Sequence, residues 1–98
     1  MLNSSSIIVR TNKIITADMD GDTALMSVNN GAYYGLGKVG TAIWNELAAP
    51  LTVAALIEKL CQRFAVSATQ CEQDIQPFLG DMLAEKLIEL ANEKSSNN

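Results

Sequence analysis

Apolar and polar residues alternate along the first third of the chain, which is the pattern of half-buried β-strands. A short β-branched run, Ile7-Ile8-Val9, comes first. Two later segments, Asp20-Gly21 and Asn29-Asn30-Gly31, favour tight hairpin turns because Asn and Gly tolerate positive φ. These turns connect three predicted strands, at residues 13–19, 23–28 and 32–36. The pattern therefore predicts a three-stranded antiparallel meander with the 32–36 strand on one edge.

Helical periodicity replaces this alternation in the rest of the chain. The first helix is predicted over about residues 38–48, with Gly37 as its N-cap. The third begins at Ser67, whose spacing to Gln70 is that of a capping box. The second follows Thr52 as N-cap and has a continuous apolar face, made of Val53, Leu56, Ile57, Leu60, Cys61 and Phe64.

A proline interrupts the apolar stripe of the third predicted helix. Pro77 removes an amide donor to the carbonyl of Gln73, and an internal proline usually bends a helix. We predict a kink here, which would either shape a groove or only let the helix curve over a small core. Residues 87–90 fit a last helical turn or a short extended tail.

Size and composition indicate one globular domain. The chain has 98 residues, of which 48% are hydrophobic and 18% charged. We predict a mostly flexible N-terminal tail over residues 1–12, a domain over 13–90 and a flexible C-terminal tail over 91–98. Neither a secretory signal nor a long apolar segment is found, which predicts a cytoplasmic protein. Cys61 and Cys71 are then expected to be reduced, structural thiols.

Charge and residue chemistry argue against several classes of function. The net charge is −4 and the seven basic residues are scattered, so neither nucleic acid nor a membrane is an expected partner. The chain has no histidine, and two cysteines alone cannot form a zinc site, so we predict no metal and no cofactor. Asp18, Asp20 and Asp22 resemble half of a calcium loop but lack its remaining ligands, and we interpret them as a solvated turn.

One segment carries a recognisable motif. Residues 29–44 read Asn-Asn-Gly-Ala-Tyr-Tyr-Gly-Leu-Gly-Lys-Val-Gly-Thr-Ala-Ile-Trp: a glycine turn, an aromatic pair, a leucine and then Gly-x-x-Ile-Trp. This order and spacing resemble the central motif of PqqD-like proteins. Thr52-Val53-x-x-Leu56-Ile57 and the 74–87 pattern also fit, and the similarity covers about residues 14–90. Two residues depart from it: Gly37, where the family usually has Asn or a similar cap, and Pro77.

The resemblance implies a winged-helix-like α+β domain, in which a three-stranded antiparallel N-terminal sheet precedes a three-helix bundle. Such domains are called RiPP recognition elements, because they bind the leader of a ribosomally synthesised and post-translationally modified peptide. They pass the leader to a leader protease in lasso-peptide assembly or to a radical SAM enzyme in pyrroloquinoline quinone assembly. In the family, the leader adds as an extra strand to the third strand and lies against the third helix. The expected partners are therefore a leader peptide and one of these enzymes.

Two segments of the chain hold the candidate peptide-binding residues. The edge strand has no proline or charge to block a guest strand, and its residues are Ala32, Tyr33, Tyr34, Gly35 and Leu36. The family pattern implies that Tyr34 and Leu36 point into the core and Tyr33 is exposed. The third helix contributes Cys71, Asp74, Ile75, Phe78 and Met82. These helix side chains would either line a groove or only fill the core against Trp44. Asp74 would either meet a basic or amide group of the leader or, as a lone surface carboxylate, have no role.

Three rival functions are weighed against leader binding in a lasso-peptide pathway. A free-standing domain of this length also suits pyrroloquinoline quinone biosynthesis. A winged-helix DNA-binding regulator shares the architecture, but the third helix is acidic, with Glu72, Asp74, Asp81 and Glu85. An enzyme is the least supported, because no nucleophile, base and oxyanion donors occur as a set, so no catalytic residue is predicted.

Overall fold

The structure is a computed structural model that describes residues 2–12, 14–20, 22–28 and 31–91. Six strands and three helices occur in this part of the chain. In order they are β1 (Ile7–Arg10), β2 (Ile14–Met19), β3 (Asp22–Ser27), β4 (Tyr33–Leu36), α1 (Lys38–Glu46), β5 (Leu51–Thr52), α2 (Val53–Phe64), α3 (Ala68–Ala84) and β6 (Ile88–Leu90). The predicted α+β class, a three-stranded sheet followed by three helices, is confirmed.

The first sheet is the predicted antiparallel meander, with strand order β2-β3-β4. Its turns have the left-handed residues that tight hairpins need. Asp20 has a φ of 56° and Gly31 a φ of 70°, whereas Gly21, Asn29 and Asn30 lie outside the described residues. Thr23, Leu25 and Ser27 are buried on the face that packs on the helices. β4 forms one edge of this sheet.

A second sheet, with strand order β5-β1-β6, was not predicted. The sequence predicted residues 1–12 to be mostly a flexible tail, but Ile8 pairs with both Leu51 and Leu90 and is fully buried. A β-branched run is stable as a strand only with a partner, and both partners are distant in sequence. Residues 87–90 were predicted as a last helical turn or a short extended tail, and residues 88–90 form the strand β6, which agrees with the extended alternative. The predicted C-terminal tail lies outside the described residues beyond Ala91.

The helices begin at the predicted caps. Thr52 Oγ1 accepts a hydrogen bond from the backbone N–H of Ala55 at 3.1 Å, and Ser67 Oγ accepts one from Gln70 at 3.1 Å. Gly37 is the N-cap of α1 and has an extended backbone, and since glycine has no side chain, α1 lacks a side-chain capping hydrogen bond. α3 remains one helix through Pro77, so a kink at this residue stays a prediction.

α3 ends in a turn that fixes the chain leading into β6. Lys86 is left-handed, with a φ of 63°, and its N–H donates to Leu83 O at 3.0 Å. The N–H of Leu87 donates to Met82 O at 2.9 Å, which completes a Schellman-type end. Thr11, just after β1, donates its hydroxyl to the carbonyls of Lys86 and Leu87 at 2.9 and 3.1 Å. The N-terminal segment therefore holds the end of α3 in place.

The core lies between the helices and the inner faces of both sheets. Trp44 is 2% exposed, as predicted for a core residue, and the guanidinium carbon of Arg10 lies 5.0 Å from its ring centroid. α1 is joined to the meander by the N–H of Thr23, which donates to Thr41 Oγ1 at 3.0 Å. Leu79 is fully buried, as predicted. This packing sets α3 beside β4, the edge strand of the meander.

Ile8→Ala should destabilise the fold by about 2–5 kcal/mol, because it leaves a cavity at a fully buried position of β1. Ile15→Ala is the matched control: Ile15 is also a strand isoleucine but is 53% exposed, so the expected loss is below about 1 kcal/mol. Urea unfolding of the two variants gives both free energies. Equal losses would contradict a structural role for β1.

Candidate functional site

The open edge of β4 leaves backbone groups that the sheet does not use. The N–H of Ser27 donates to Ala32 O at 3.0 Å, so these two residues form a hydrogen-bonded pair between β3 and the chain leading into β4. Such pairs recur at every second position of an antiparallel ladder, and the next one is Leu25 with Tyr34. By alternation, Tyr34 faces β3 with its N–H and C=O. The corresponding groups of Tyr33 and Gly35 point to the opposite side, where the described part of the chain provides no further strand. These four groups are available to a guest strand.

A groove runs between this edge and α3. It has two compartments that share Gly35, Leu36 and Phe78. The first, here called the acidic compartment, has a volume of about 370 Å³, and its other lining residues are Tyr34, Asp81, Met82, Ala84, Glu85 and Leu87. The second, the helix-1 compartment, has a volume of about 420 Å³, and its other lining residues are Gly37, Val39, Gly40, Ile43, Asp74 and Ile75.

The ring of Phe78 separates the two compartments and packs closely on α1. A Cβ added to Gly40 would lie 3.2 Å from Leu36 Cβ and 3.2 Å from Phe78 Cζ, which is tighter than normal van der Waals contact. Only glycine therefore lets the ring approach α1 without displacement. Gly40 thus determines how far Phe78 projects into the groove.

One side-chain hydrogen bond links the two walls of the acidic compartment. The hydroxyl of Tyr34 on β4 donates to Glu85 Oε1 at 2.8 Å, and Glu85 is the C-cap of α3. The carboxylate keeps further acceptor sites, because two oxygens offer about four lone pairs. This bond fixes the position of a negative charge beside the free strand edge.

Seven of the ten predicted binding residues line the groove: Tyr34, Gly35, Leu36, Asp74, Ile75, Phe78 and Met82. Of these, Ile75 and Met82 are only 2% and 4% exposed and also belong to the core, so both alternatives stated for them apply. Alternation along β4 also follows the prediction. Leu36 is 5% exposed, Tyr34 is half-buried against the core, and Tyr33 is 75% exposed on the outer face of the sheet. Asp74 accepts a hydrogen bond from Gln70 Nε2 within α3 at 2.9 Å, and its contact with a leader peptide stays a prediction.

Three predicted residues lie outside both compartments. Ala32 and Tyr33 belong to the edge strand itself, whereas Cys71 is 4% exposed within the core. Burial raises the pKa of the Cys71 thiol, and the neighbouring Cys61 and Asp74 raise it further. A thiol in this environment stays protonated and unreactive, which agrees with the expected structural role.

The sequence analysis missed lining residues of two kinds. Asp81 and Glu85 continue the helical spacing that starts at Asp74 and Phe78, so the pattern contained a signal for them. Gly40 and Ile43 come from α1, and only the tertiary packing of α1 against α3 brings them to the groove. Within the described ranges, no group of acidic, cysteine or histidine side chains is arranged to bind a metal ion, and no helix is both long and apolar enough to cross a bilayer.

The sequence from β3 to the start of β6 matches a known family model. The model describes coenzyme PQQ synthesis protein D (PqqD) and matches residues 22–88, well over half of the chain. The chain belongs to the PqqD family. Membership makes it a RiPP recognition element, a non-catalytic peptide-binding domain. β1 and β2 of this PqqD-family protein lie outside the matched residues.

A solved structure has the same fold as this PqqD-family protein. It is described as TbiB1 in complex with the TbiA(beta) leader peptide. The TM-score is 0.75 at 25% sequence identity, and the match covers 83% of this chain and 94% of the other. No curated protein sequence matches the chain at a significant level.

Gly40→Ala should perturb the ring of Phe78, whereas Gly80→Ala should not. Both glycines are helical, but a Cβ at Gly80 meets nothing within 4 Å. Replacing Gly80 should therefore add up to about 1 kcal/mol through helix propensity alone. The Gly40→Ala protein should gain less stability than the Gly80→Ala protein, or lose stability, because Leu36 and Phe78 must move. Urea unfolding measures both, and an equal gain in the two variants would refute the close approach of Phe78 to α1.

Proposed function

We propose that this PqqD-family protein binds the leader region of a ribosomally synthesised precursor peptide by strand addition to β4, and presents it to a modifying enzyme. The observation that carries the proposal is the adjacency of two features. The outward backbone groups of Tyr33 and Gly35 border directly on a groove with apolar walls. An extended peptide needs both, since the strand edge takes its backbone and the groove takes its side chains.

The strand edge and the groove are expected to contribute different amounts to the free energy of peptide binding. Four backbone hydrogen bonds at about 1 kcal/mol net each amount to about 4 kcal/mol, which corresponds to a Kd of only about 1 mM. Each apolar anchor buried in the groove adds roughly 1.5–3 kcal/mol. Ordering a flexible leader opposes binding by roughly 2–5 kcal/mol. The groove side chains therefore decide both the affinity and the choice of peptide.

The proposed contact residues follow from this division. β4 and the preceding residue, 32–36, would hold the peptide backbone. The side chains of Asp74, Ile75, Phe78 and Met82 would line its path along α3, joined by Asp81 and Glu85. Cys71 would support this wall from the core rather than touch the peptide.

The comparisons support this function from two directions. The PqqD family consists of peptide-binding domains, and TbiB1, which has the same fold, is described with a leader peptide bound. DNA binding is less well supported, because α3 carries three acidic residues and no lysine or arginine, and its C-cap, Glu85, is also acidic.

Lasso-peptide biosynthesis is the pathway we propose, with a leader protease as the modifying enzyme. Coenzyme PQQ synthesis, with a radical SAM enzyme, is the alternative, and the name of the family model favours it. The genes adjacent to that of this chain distinguish the two. A precursor gene next to a leader-protease gene supports the first pathway, and one next to a radical-enzyme gene supports the second.

Gly35→Pro should weaken peptide binding by at least about tenfold while leaving the fold intact. Proline removes an amide donor that faces away from β3 and places a ring in the path of a guest strand. The probe is a fluorescently labelled peptide selected from a displayed library of random peptides on the wild-type protein. Fluorescence polarisation gives its affinity for each variant.

Thr16→Pro is the matched control for this experiment. The pairing register places the N–H of Thr16 on the other, outward side of β2, at the opposite edge of the same sheet. A similar stability change in both variants, with binding lost only in Gly35→Pro, supports strand addition to β4. Failure of the library to yield any binding peptide, or equal binding by both proline variants, would overturn the proposal.

A further inference from the structure

The two compartments of the groove differ in charge. Asp81 and Glu85 lie one helical turn apart on the same face of α3 and both line the acidic compartment. In the part of the chain that the structure describes, no lysine or arginine lines either compartment. The helix-1 compartment has one carboxylate, that of Asp74, which already accepts a hydrogen bond from Gln70.

The two carboxylates of the acidic compartment are not neutralised within the described residues. The carboxylate of Asp81 makes no hydrogen bond or ion pair there, whereas its backbone carbonyl accepts a hydrogen bond from the N–H of Glu85 at 2.9 Å. Glu85 is oriented by the hydroxyl of Tyr34, which is a neutral donor and leaves its negative charge in place. Apolar side chains of Met82, Leu87 and Phe78 complete the walls. An occupant with an aliphatic stem and a cationic end matches this combination, as lysine and arginine side chains do.

The strand register relates the compartments to positions in a guest peptide. A strand paired with the outward groups of Tyr33 and Gly35 places its own residues opposite Tyr34 and Leu36 on the groove side. Tyr34 lines only the acidic compartment, whereas Leu36 lines both and is followed by Gly37, which lines only the helix-1 compartment. Side chains on one face of a strand are two residues apart, about 6.6 Å, so neighbouring inward positions enter neighbouring compartments.

We propose that the leader recognised by this chain carries a lysine or arginine two residues from an apolar anchor. The basic side chain is bound by Asp81 and Glu85, and the anchor lies in the helix-1 compartment. This inference rests on the proposed strand addition and extends it to the chemistry of the peptide. It makes Asp81 and Glu85 residues that determine specificity, in a groove whose other walls are mainly apolar and whose third carboxylate, that of Asp74, lies in the helix-1 compartment.

The test is a selection of random displayed peptides on the wild-type protein and on the double variant Asp81→Asn, Glu85→Gln. Both changes keep the shape of the side chains, and glutamine can still accept the hydrogen bond from Tyr34. We expect the wild-type pool to be enriched in lysine or arginine two positions from an apolar residue, and the pool from the double variant to lose that enrichment. A selected peptide should bind the double variant about threefold to tenfold more weakly, and added salt should reduce this difference.

A second double variant, Glu58→Gln with Glu72→Gln, controls for overall charge. Both residues line a separate depression between α2 and α3, away from β4, and the change in net charge is the same. We expect this variant to bind the selected peptide like the wild type. Equal weakening in both double variants would overturn the local contact, since overall charge alone would then explain it.

Moving the basic residue of the selected peptide by one position tests the register. Neighbouring residues of a strand face opposite sides, so the moved side chain would leave the groove and binding should fall to the level of the double variant. Unchanged binding, or a wild-type pool without basic enrichment, overturns this inference while leaving strand addition intact. A wild-type selection that retains no peptide overturns the proposed function itself, so the two failures are distinguishable.

Discussion

The candidate site depends on an edge strand whose backbone groups pair with the rest of the sheet on one side only. β4 pairs with β3 on one side, and in the described residues no strand covers the other. Soluble proteins normally block such an edge with charge, proline or a bulge, because an open edge invites pairing with other chains. Here the strand Tyr33–Leu36 has none of these. α3 lies beside this edge, so under the proposed function only a peptide whose side chains also fit the groove would gain enough free energy to remain bound.

The groove keeps its shape because parts of the chain far apart in sequence hold its walls. Thr11 binds the carbonyls of Lys86 and Leu87, and Leu87 lines the groove. Gly40 lets Phe78 approach α1 and so sets the boundary between the two compartments. The N-terminal strand thus supports the candidate site although it lies outside the residues that match the family model. A peptide meets walls that are already in place, and it does not have to order them on binding.

The features that could be predicted from the sequence are those encoded by neighbouring residues. Alternation and turn chemistry predicted the meander, and they separated the exposed Tyr33 from the inward Leu36. Capping side chains predicted the starts of α2 and α3. The second sheet could not be found in this way, because Ile8 and Leu90 pair across almost the whole chain and a run of three apolar residues does not indicate which distant strand it pairs with. The contact of Gly40 with Phe78 was missed for the same reason, since each residue alone looks ordinary in its helix.

Backbone pairing and side-chain selection become one mechanism when they share a register. An edge alone accepts any extended chain in several alignments, because every residue offers the same N–H and C=O groups. The compartments would reduce the number of acceptable alignments, since a shift by one residue turns every inward side chain outward. On the proposed register, a shift by two residues keeps the faces but moves the apolar anchor beside Asp81 and Glu85 and takes the basic side chain away from them. The contrast in charge between the compartments would therefore distinguish alignments that shape alone would accept, on a scaffold in which Tyr34 and Glu85 are already hydrogen-bonded.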